Sequence, residues 1–208
     1  MSTTKPRFWS WELGRADYLI TKAVLVAAPA LYVAASLVPA LLAWARGTPL
    51  TWASTVGEPD TAGATVQGLR AATGRFDGSM TWTIPDPSTL QRLLALVPGL
   101  EVAVLVTAGS VCLWRLLTRM RSGDPFGGPA VHYVRALAVL VLGYGLVVKQ
   151  TRVFVDFLIT APIKPEPMAL FTITPGAFVP IVLGVALLAL AECFRQGARL
   201  RDEVDGLV

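Results

Sequence analysis

Four ionisable residues lie within or beside apolar stretches of the sequence, where a charge is costly. Lys149, Arg152 and Asp156 are spaced i, i+3 and i+7, which places them on one face of a helix. Glu101 interrupts another apolar stretch. Ionisable groups at membrane depth normally face a partner or water. We therefore predict an ion pair of Glu101 with Lys149 or Arg152 and a bridge from Asp156 to Arg152. Two roles stay open for this charge cluster, a structural ion pair near the membrane surface and a path for an ion or substrate.

Residue types that commonly carry catalysis or bind metals are sparse. His132 is the only histidine in the sequence, and no acid or thiol stands near it in motif spacing, so it predicts neither a metal site nor a catalytic dyad. Cys112 and Cys193 belong to no CxxC or Cys/His set and are expected to be free, small apolar residues. The sequence shows no nucleophile motif and no Walker spacing. We expect a protein that is not an enzyme and has no cofactor or metal.

Apolar blocks determine the elements that carry these residues. The chain has 208 residues, of which 54% are hydrophobic and 15% charged, against about 45–50% and about 25% in soluble domains. The apolar residues fall into blocks of about 20 or more, enough to cross about 30 Å of hydrocarbon. The fold class predicted is an all-α membrane protein, a single domain over residues 1–208. Its four transmembrane helices are expected at about 18–45, 92–118, 131–159 and 168–193.

Residues 46–91, between the first two helices, have a different composition. Gly, Thr, Pro and Asp recur there, while Thr65, Val66 and residues 80–84 show the short alternation of β-strands. We predict a small β-rich extracytoplasmic segment of one or two hairpins, with disorder as the alternative. Asp86 or Ser88 is expected to cap a helix that begins near Thr89.

The distribution of basic residues predicts the orientation. Most of the 18 Lys and Arg residues flank the apolar blocks on one side of the predicted membrane. The positive-inside rule then places both termini, a loop over 119–130 and a tail over 194–208 in the cytoplasm. The net charge of +4 does not indicate direct nucleic-acid binding, because the basic residues cluster beside membrane helices. The Lys and Arg residues on the predicted cytoplasmic side are Lys5, Arg7, Arg15, Lys22, Arg115, Arg119, Arg121, Arg135, Arg195, Arg199 and Arg201.

The cytoplasmic loop and tail are candidate surfaces for a partner protein. Gly123 to Pro129 combine glycine and proline in a tight turn. The tail places arginines next to the bilayer and acids further out. A shaped hairpin and a solvated helix extension, without a partner, are the alternatives for the loop and the tail. The predicted partner-binding residues are Asp124, Pro125, Phe126, Arg135, Phe194, Gly197, Leu200, Asp202 and Glu203.

Two motifs resemble a known family. The SGDPF of Ser122 to Phe126 follows one membrane helix and precedes PAVHYVRALAVLVLG, and the tail reads AECFRQGARLRDEVDGLV. Together with TWTIPDPS before the second helix, they resemble the DUF2975 family of bacterial membrane proteins. Pro129 to Val131 depart from the family, which usually has Asn there.

The resemblance implies four membrane helices, a bacterial plasma membrane location and no established activity. Members are often encoded beside a small helix-turn-helix regulator. We therefore expect a non-catalytic membrane protein that engages a cytosolic partner, such as that transcription regulator, through its loop and tail. The alternative is a small transporter or channel component that uses the charge cluster, working as a homo-oligomer in the lipid bilayer.

Overall fold

A computed structural model describes residues 15–54, 65–67, 71–76, 80–121, 128–163 and 175–205. Helices account for most of this part of the chain. The elements in order are α1 (Arg15–Ala45), β1 (Leu50–Ser54), β2 (Thr65–Gln67), β3 (Thr73–Phe76), β4 (Met80–Ile84), α2 (Thr89–Arg121), α3 (Gly128–Gly143), a π-helical segment (Tyr144–Val148), α4 (Lys149–Thr160) and α5 (Pro175–Asp205).

Among the described residues, four helical stretches are long and apolar enough to cross a membrane, which confirms the predicted number of such helices. The third of them joins α3, the π segment and α4 into one continuous rod. The first three helices begin three residues before their predicted starts, because the residues that precede each apolar block are also helical. The predicted start of the fourth at residue 168 lies outside the described residues, and its helix continues past residue 193 to Asp205. The stretches are Asp17–Ala45, Thr89–Arg119, Ala130–Thr160 and Phe178–Gly197.

Internal prolines do not end these helices, and glycine ends the first. Pro29 and Pro39 lie inside α1. Gly47 follows α1 with φ +66°, the left-handed conformation that glycine adopts most readily. The N–H of Gly47 donates to the Trp44 carbonyl, and the N–H of Thr48 donates to the Ala43 carbonyl. These two bonds form a Schellman motif, which turns the chain from α1 into β1.

The helices pack in the order α1, α2, α3 and α5, with α3 against α5 the most extensive contact. Successive spans run in opposite directions, so the molecule has two distinct ends. We call the end where α1 finishes and α2 begins the sheet end, because the β-strands lie there. The opposite end, where α2 finishes and α3 begins, is the arginine end. Within the described residues α1 and α5 form no substantial contact, so the helices do not close into a ring.

The strands form one antiparallel sheet in the order β1-β4-β3-β2. β4 alternates as predicted, with Met80, Trp82 and Ile84 buried and the threonines between them half-buried. Gly74 lies opposite Trp82 in the register, and a Cβ there would come within 3.1 Å of the Trp82 ring. The absence of a side chain at residue 74 therefore leaves room for the indole. The four strands confirm the predicted β-rich segment, while residues 55–64 between β1 and β2 lie outside the described part.

The sheet packs on the end of α4, where the main buried core lies. Trp82 and Ile84 of the sheet join Val155 and Ile159 of α4 in one buried apolar cluster. At the start of α2, the Ser88 hydroxyl accepts from the Gln91 N–H, and the Gln91 side-chain carbonyl accepts from the Ser88 N–H. This capping box confirms the predicted cap and helix start. The Gln91 amide also donates to the Ile159 carbonyl at 3.1 Å, which joins α2 to α4.

Candidate functional site

Asp156 is the most buried charged residue among those described, with 1% of its surface exposed. It lies on α4 beneath β1. The indole N–H of Trp52 donates to Oδ1 at 2.7 Å, and the Ser54 hydroxyl donates to Oδ2 at 2.9 Å. Hydrogen bonds to both oxygens offset part of the cost of burying a carboxylate. Asp156 therefore fixes β1, and with it the sheet, to the last turns of α4.

We call Asp156 and its two hydrogen bonds to β1 the buried anchor. Lys149 and Arg152 line a cleft of about 340 Å³ beside it. Tyr32 of α1, Trp52 of β1 and Tyr144 of the π segment contribute its aromatic walls. The Lys149 ammonium lies 5.9 Å from the centre of the Tyr144 ring, within the range of a cation–π interaction. We call this the cationic cleft. Trp52 belongs to both the cleft and the buried anchor, because its side chain lines the cleft and its indole N–H donates to Asp156.

The predicted bridge from Asp156 to Arg152 is wrong. Arg152 is exposed and forms no ion pair among the described residues. The i, i+3, i+7 spacing predicted that Lys149, Arg152 and Asp156 share one face of the helix, and in the structure all three lie near Trp52 of β1. However, the Asp156 oxygens accept hydrogen bonds from the sheet, which the helical spacing does not reveal.

The predicted pairing of Glu101 with Lys149 or Arg152 is also wrong. Glu101 lies on the neighbouring flank of α2, where it lines a separate, apolar cleft of about 430 Å³ together with residues of α2 and the π segment. Val102 lines the cationic cleft, and one residue of α-helix turns the side chain by about 100°. Glu101 therefore lines a different cleft from the two cations and forms no ion pair with either of them among the described residues. Its Oε2 atom is buried and has no hydrogen-bond partner in the described part of the chain.

A second group of charges lies at the arginine end. The Arg195 guanidinium donates to both oxygens of Glu192, one turn earlier on α5, and the Gln196 amide donates to Oε1 at 3.2 Å. Arg135 of α3 approaches Glu192 Oε2 at 3.5 Å. Glu192 thus connects α3 to α5 at the predicted partner residue Arg135. The three charged side chains are between 39% and 55% exposed, so the connection is accessible from the surface.

Lys22 lies between two aromatic rings at the same end. Its ammonium is 4.4 Å from the centre of the Tyr18 ring and 4.2 Å from that of Trp114. Because Trp114 belongs to α2, this double cation–π contact holds α1 against α2. Aromatic and basic residues together are typical of the headgroup zone of a bilayer.

The remaining predicted site residues divide into described and undescribed ones. Phe194 is half-buried and Gly197 exposed on α5. Asp124, Pro125 and Phe126 lie outside the described residues. Leu200, Asp202 and Glu203 belong to the α5 helix, but their side chains lie outside the described part.

The described cysteine and histidine residues do not form a cluster that could bind a metal ion. Cys112 and Cys193 are free, and His132 is exposed. Within the described ranges, no group of three or more His, Cys, Asp or Glu side chains is placed to hold a metal ion.

Sequence reasoning missed Tyr32, Trp52, Ser54 and Tyr144, because contacts with distant elements define their roles. Trp52 and Asp156 are 104 residues apart in the chain. Glu192 was also missed, although its i, i+3 spacing from Arg195 is a recognisable helical ion-pair signal.

Comparison with known proteins places the chain in a family. No curated protein and no solved structure matches it significantly. A family described as "Protein of unknown function (DUF2975)" matches residues 59–208, which include β2–β4 and α2–α5. α1 and β1 precede the matched range. Because this match covers well over half of the sequence, the chain belongs to the DUF2975 family.

Proposed function

We propose that the protein is a multi-pass protein of the bacterial plasma membrane whose arginine end faces the cytoplasm and binds a cytosolic protein. Four apolar helices support the membrane location. The excess of Lys and Arg at the arginine end supports the orientation. The sheet then lies on the outer face.

The continuation of α5 beyond its apolar span is the observation that carries this proposal. The span ends at Gly197, but the helix extends to Asp205, about 12 Å further at 1.5 Å per residue. Glu192 fixes the base of this extension to α3 through Arg135. An ordered helix held at its base offers a partner a preformed surface, which lowers the entropic cost of binding. The favoured partner is the small helix-turn-helix regulator that family resemblance suggests.

The test is co-purification of that regulator with the membrane protein from gently solubilised membranes. The informative variant lacks residues 198–208, which removes the extension and keeps the Glu192 contacts with Arg135 and Arg195. We expect the full chain to retain the regulator and the shortened chain to lose it. The matched control is Arg75→Glu, a charge change on the exposed side of β3 at the sheet end. Equal recovery from the full and shortened chains would refute the proposal.

A transporter or channel component is the second candidate, and the Glu101 carboxylate favours it. An ionisable group with a buried, unpartnered oxygen is unusual in an apolar helix and commonly marks an ion path. Four helices leave little room for a path within one copy, so the candidate requires an oligomer. Ion flux into liposomes that contain the purified protein, abolished by Glu101→Gln, would support it. Absence of flux with the unmodified chain would exclude it for the ions tested.

A further inference from the structure

The cationic cleft holds two positive charges, Lys149 and Arg152, that form no ion pair with an acid of the described residues. Of the two predicted partners, Asp156 accepts hydrogen bonds from Trp52 and Ser54, and Glu101 lines a different cleft. Two cations about a turn apart on one helix repel each other. An anion bound between them would remove this cost.

The π segment gives the cleft its shape. In a regular α-helix, residues five apart such as Tyr144 and Lys149 point about 140° away from each other. The i→i+5 bonding of a π-helix widens the turn, so that both side chains line the same cleft. π segments of this kind occur often at functional sites. The distortion here brings an aromatic ring and an ammonium group to one side of the cavity.

The opposite wall is held in place by the buried anchor. Trp52 cannot rotate freely, because its indole N–H is bonded to the Asp156 carboxylate. Pro98 and Gly99 of α2 border the cleft, and a Cβ at Gly99 would come within 2.9 Å of the Leu37 side chain of α1. The close approach of α1 and α2 thus limits the cleft on its third side. The cavity is preformed, and its volume of about 340 Å³ exceeds that of a phosphate group.

We propose that the cationic cleft binds a phosphate group, with Arg152 as the bidentate donor and Lys149 as a second positive charge. Arginine suits the planar, two-point recognition of phosphate oxygens. Tyr and Trp side chains at this level are typical of the headgroup zone. The phosphate belongs either to an anionic phospholipid of the surrounding leaflet or to a water-soluble phosphate compound. The proposal requires that the helices cross a bilayer, but it does not require a cytosolic partner.

The experiment uses the full chain in detergent and measures binding by native mass spectrometry. The probes are phosphatidylglycerol, phosphatidylcholine and inorganic phosphate. We expect retention of phosphatidylglycerol well above that of the zwitterionic lipid if the source is a lipid. Retention of inorganic phosphate with no preference between the lipids would indicate a soluble ligand. Retention of neither anion, or equal retention of both lipids without phosphate binding, overturns the proposal.

The variants distinguish the cleft from general surface charge. Arg152→Gln is expected to weaken binding of the retained anion about tenfold, because the bidentate charge-assisted contact is lost. Arg152→Lys is expected to restore part of the binding, because lysine returns the positive charge without the two-point geometry. The matched control is Arg75→Gln, which removes an exposed arginine from the same end of the molecule. Equal effects of the variants at residues 152 and 75 would also overturn the proposal. Since Arg152 is exposed, its replacement is expected to leave the fold intact, and the melting temperature checks this.

Discussion

At the scale of single residues, two acids at the sheet end have opposite surroundings. Asp156 is enclosed between α4 and β1, with hydrogen-bond donors on both oxygens. Glu101 has a buried oxygen and no donor for it within the described residues. A buried polar atom without a partner costs about 1–3 kcal/mol, whereas a bonded one contributes to stability. The two acids are therefore expected to respond to replacement in opposite directions.

Replacing Asp156 is expected to loosen the sheet. Asp156→Ala leaves the Trp52 indole N–H and the Ser54 hydroxyl without their acceptor, so we expect a loss of about 2–4 kcal/mol. Thermal unfolding in detergent measures the loss, and proteolysis of residues 50–84 reports where it occurs. Asp86→Ala, at an exposed acid before α2, is the control and is expected to change stability by less than about 0.5 kcal/mol. Equal melting temperatures of the Asp156→Ala and Asp86→Ala variants would contradict the role of Asp156 in holding the sheet.

Replacing Glu101 by leucine is expected to keep or raise stability. Leucine fits the apolar cleft and removes the unpartnered oxygen, so a gain of about 1 kcal/mol is the expected order. Thermal unfolding of Glu101→Leu beside the unmodified chain measures it. A fall of about 2 kcal/mol or more would show that the carboxylate has a stabilising partner. A gain in stability accompanied by a loss of ion flux would fit the usual conflict between stability and function at a site.

At the scale of elements, close helix contacts depend on small residues. Gly184 of α5 is buried against α3, and a Cβ there would lie 2.5 Å from Leu142 Cγ and 3.2 Å from the Ala138 carbonyl oxygen. Such contacts let helix backbones approach closely in membranes, where apolar burial alone gives little drive for association. The contact between α3 and α5 therefore has a sequence requirement that hydropathy does not express.

Gly184→Ala is expected to destabilise the protein by about 1–3 kcal/mol, because Leu142 and the backbone of α3 must shift. Gly109→Ala is the matched control, since it is also a helical glycine but has nothing within 4 Å of a built Cβ. There the better helix propensity of alanine is expected to stabilise by up to about 1 kcal/mol. Melting temperatures in one detergent compare the two. Opposite signs are the expected result, and similar stabilisation at both sites would contradict the close contact.

The sequence predicted the elements better than it predicted their contacts. The apolar blocks predicted the first three helices to within three residues, and the cap candidates Asp86 and Ser88 predicted the start of α2. The rotation of α2 about its own axis, which decides what Glu101 faces, depends on neighbouring helices and is not set by local spacing. The same holds for the bond between Trp52 and Asp156, which joins residues 104 apart. The π segment carried no recognisable signal.

At the scale of the whole molecule, the two ends differ in structure and charge. The sheet end carries a folded cap over the helices, with the cationic cleft beneath it. The arginine end carries exposed charges on α3 and α5, and α5 extends beyond its apolar span. α5 is about 46 Å long at 1.5 Å per residue, against about 30 Å of hydrocarbon. Part of this helix must therefore stand outside the membrane core in the proposed arrangement.

The proposed orientation predicts which end can be labelled from outside. In a background with serine at residues 112 and 193, Arg75→Cys is expected to react with a membrane-impermeant maleimide in intact cells. Arg199→Cys is expected to react only after the cells are permeabilised, because α5 then ends in the cytoplasm. Both positions are exposed, so access should depend on the membrane alone. Labelling of residue 199 in intact cells would contradict the proposed orientation and support the opposite one.

The position of the sheet in the chain has a consequence for biosynthesis. Strands β1 to β4 are translated before α2, yet their apolar face is covered by Val155 and Ile159, near the end of the third span. Asp156, which accepts the bonds from β1, emerges equally late. In the proposed membrane arrangement, the sheet therefore cannot complete its packing until α2 and the third span have been inserted. Packing of Trp82 and Ile84 against Val155 and Ile159 would then follow insertion of the third span, so the sheet would be among the last parts of the protein to fold.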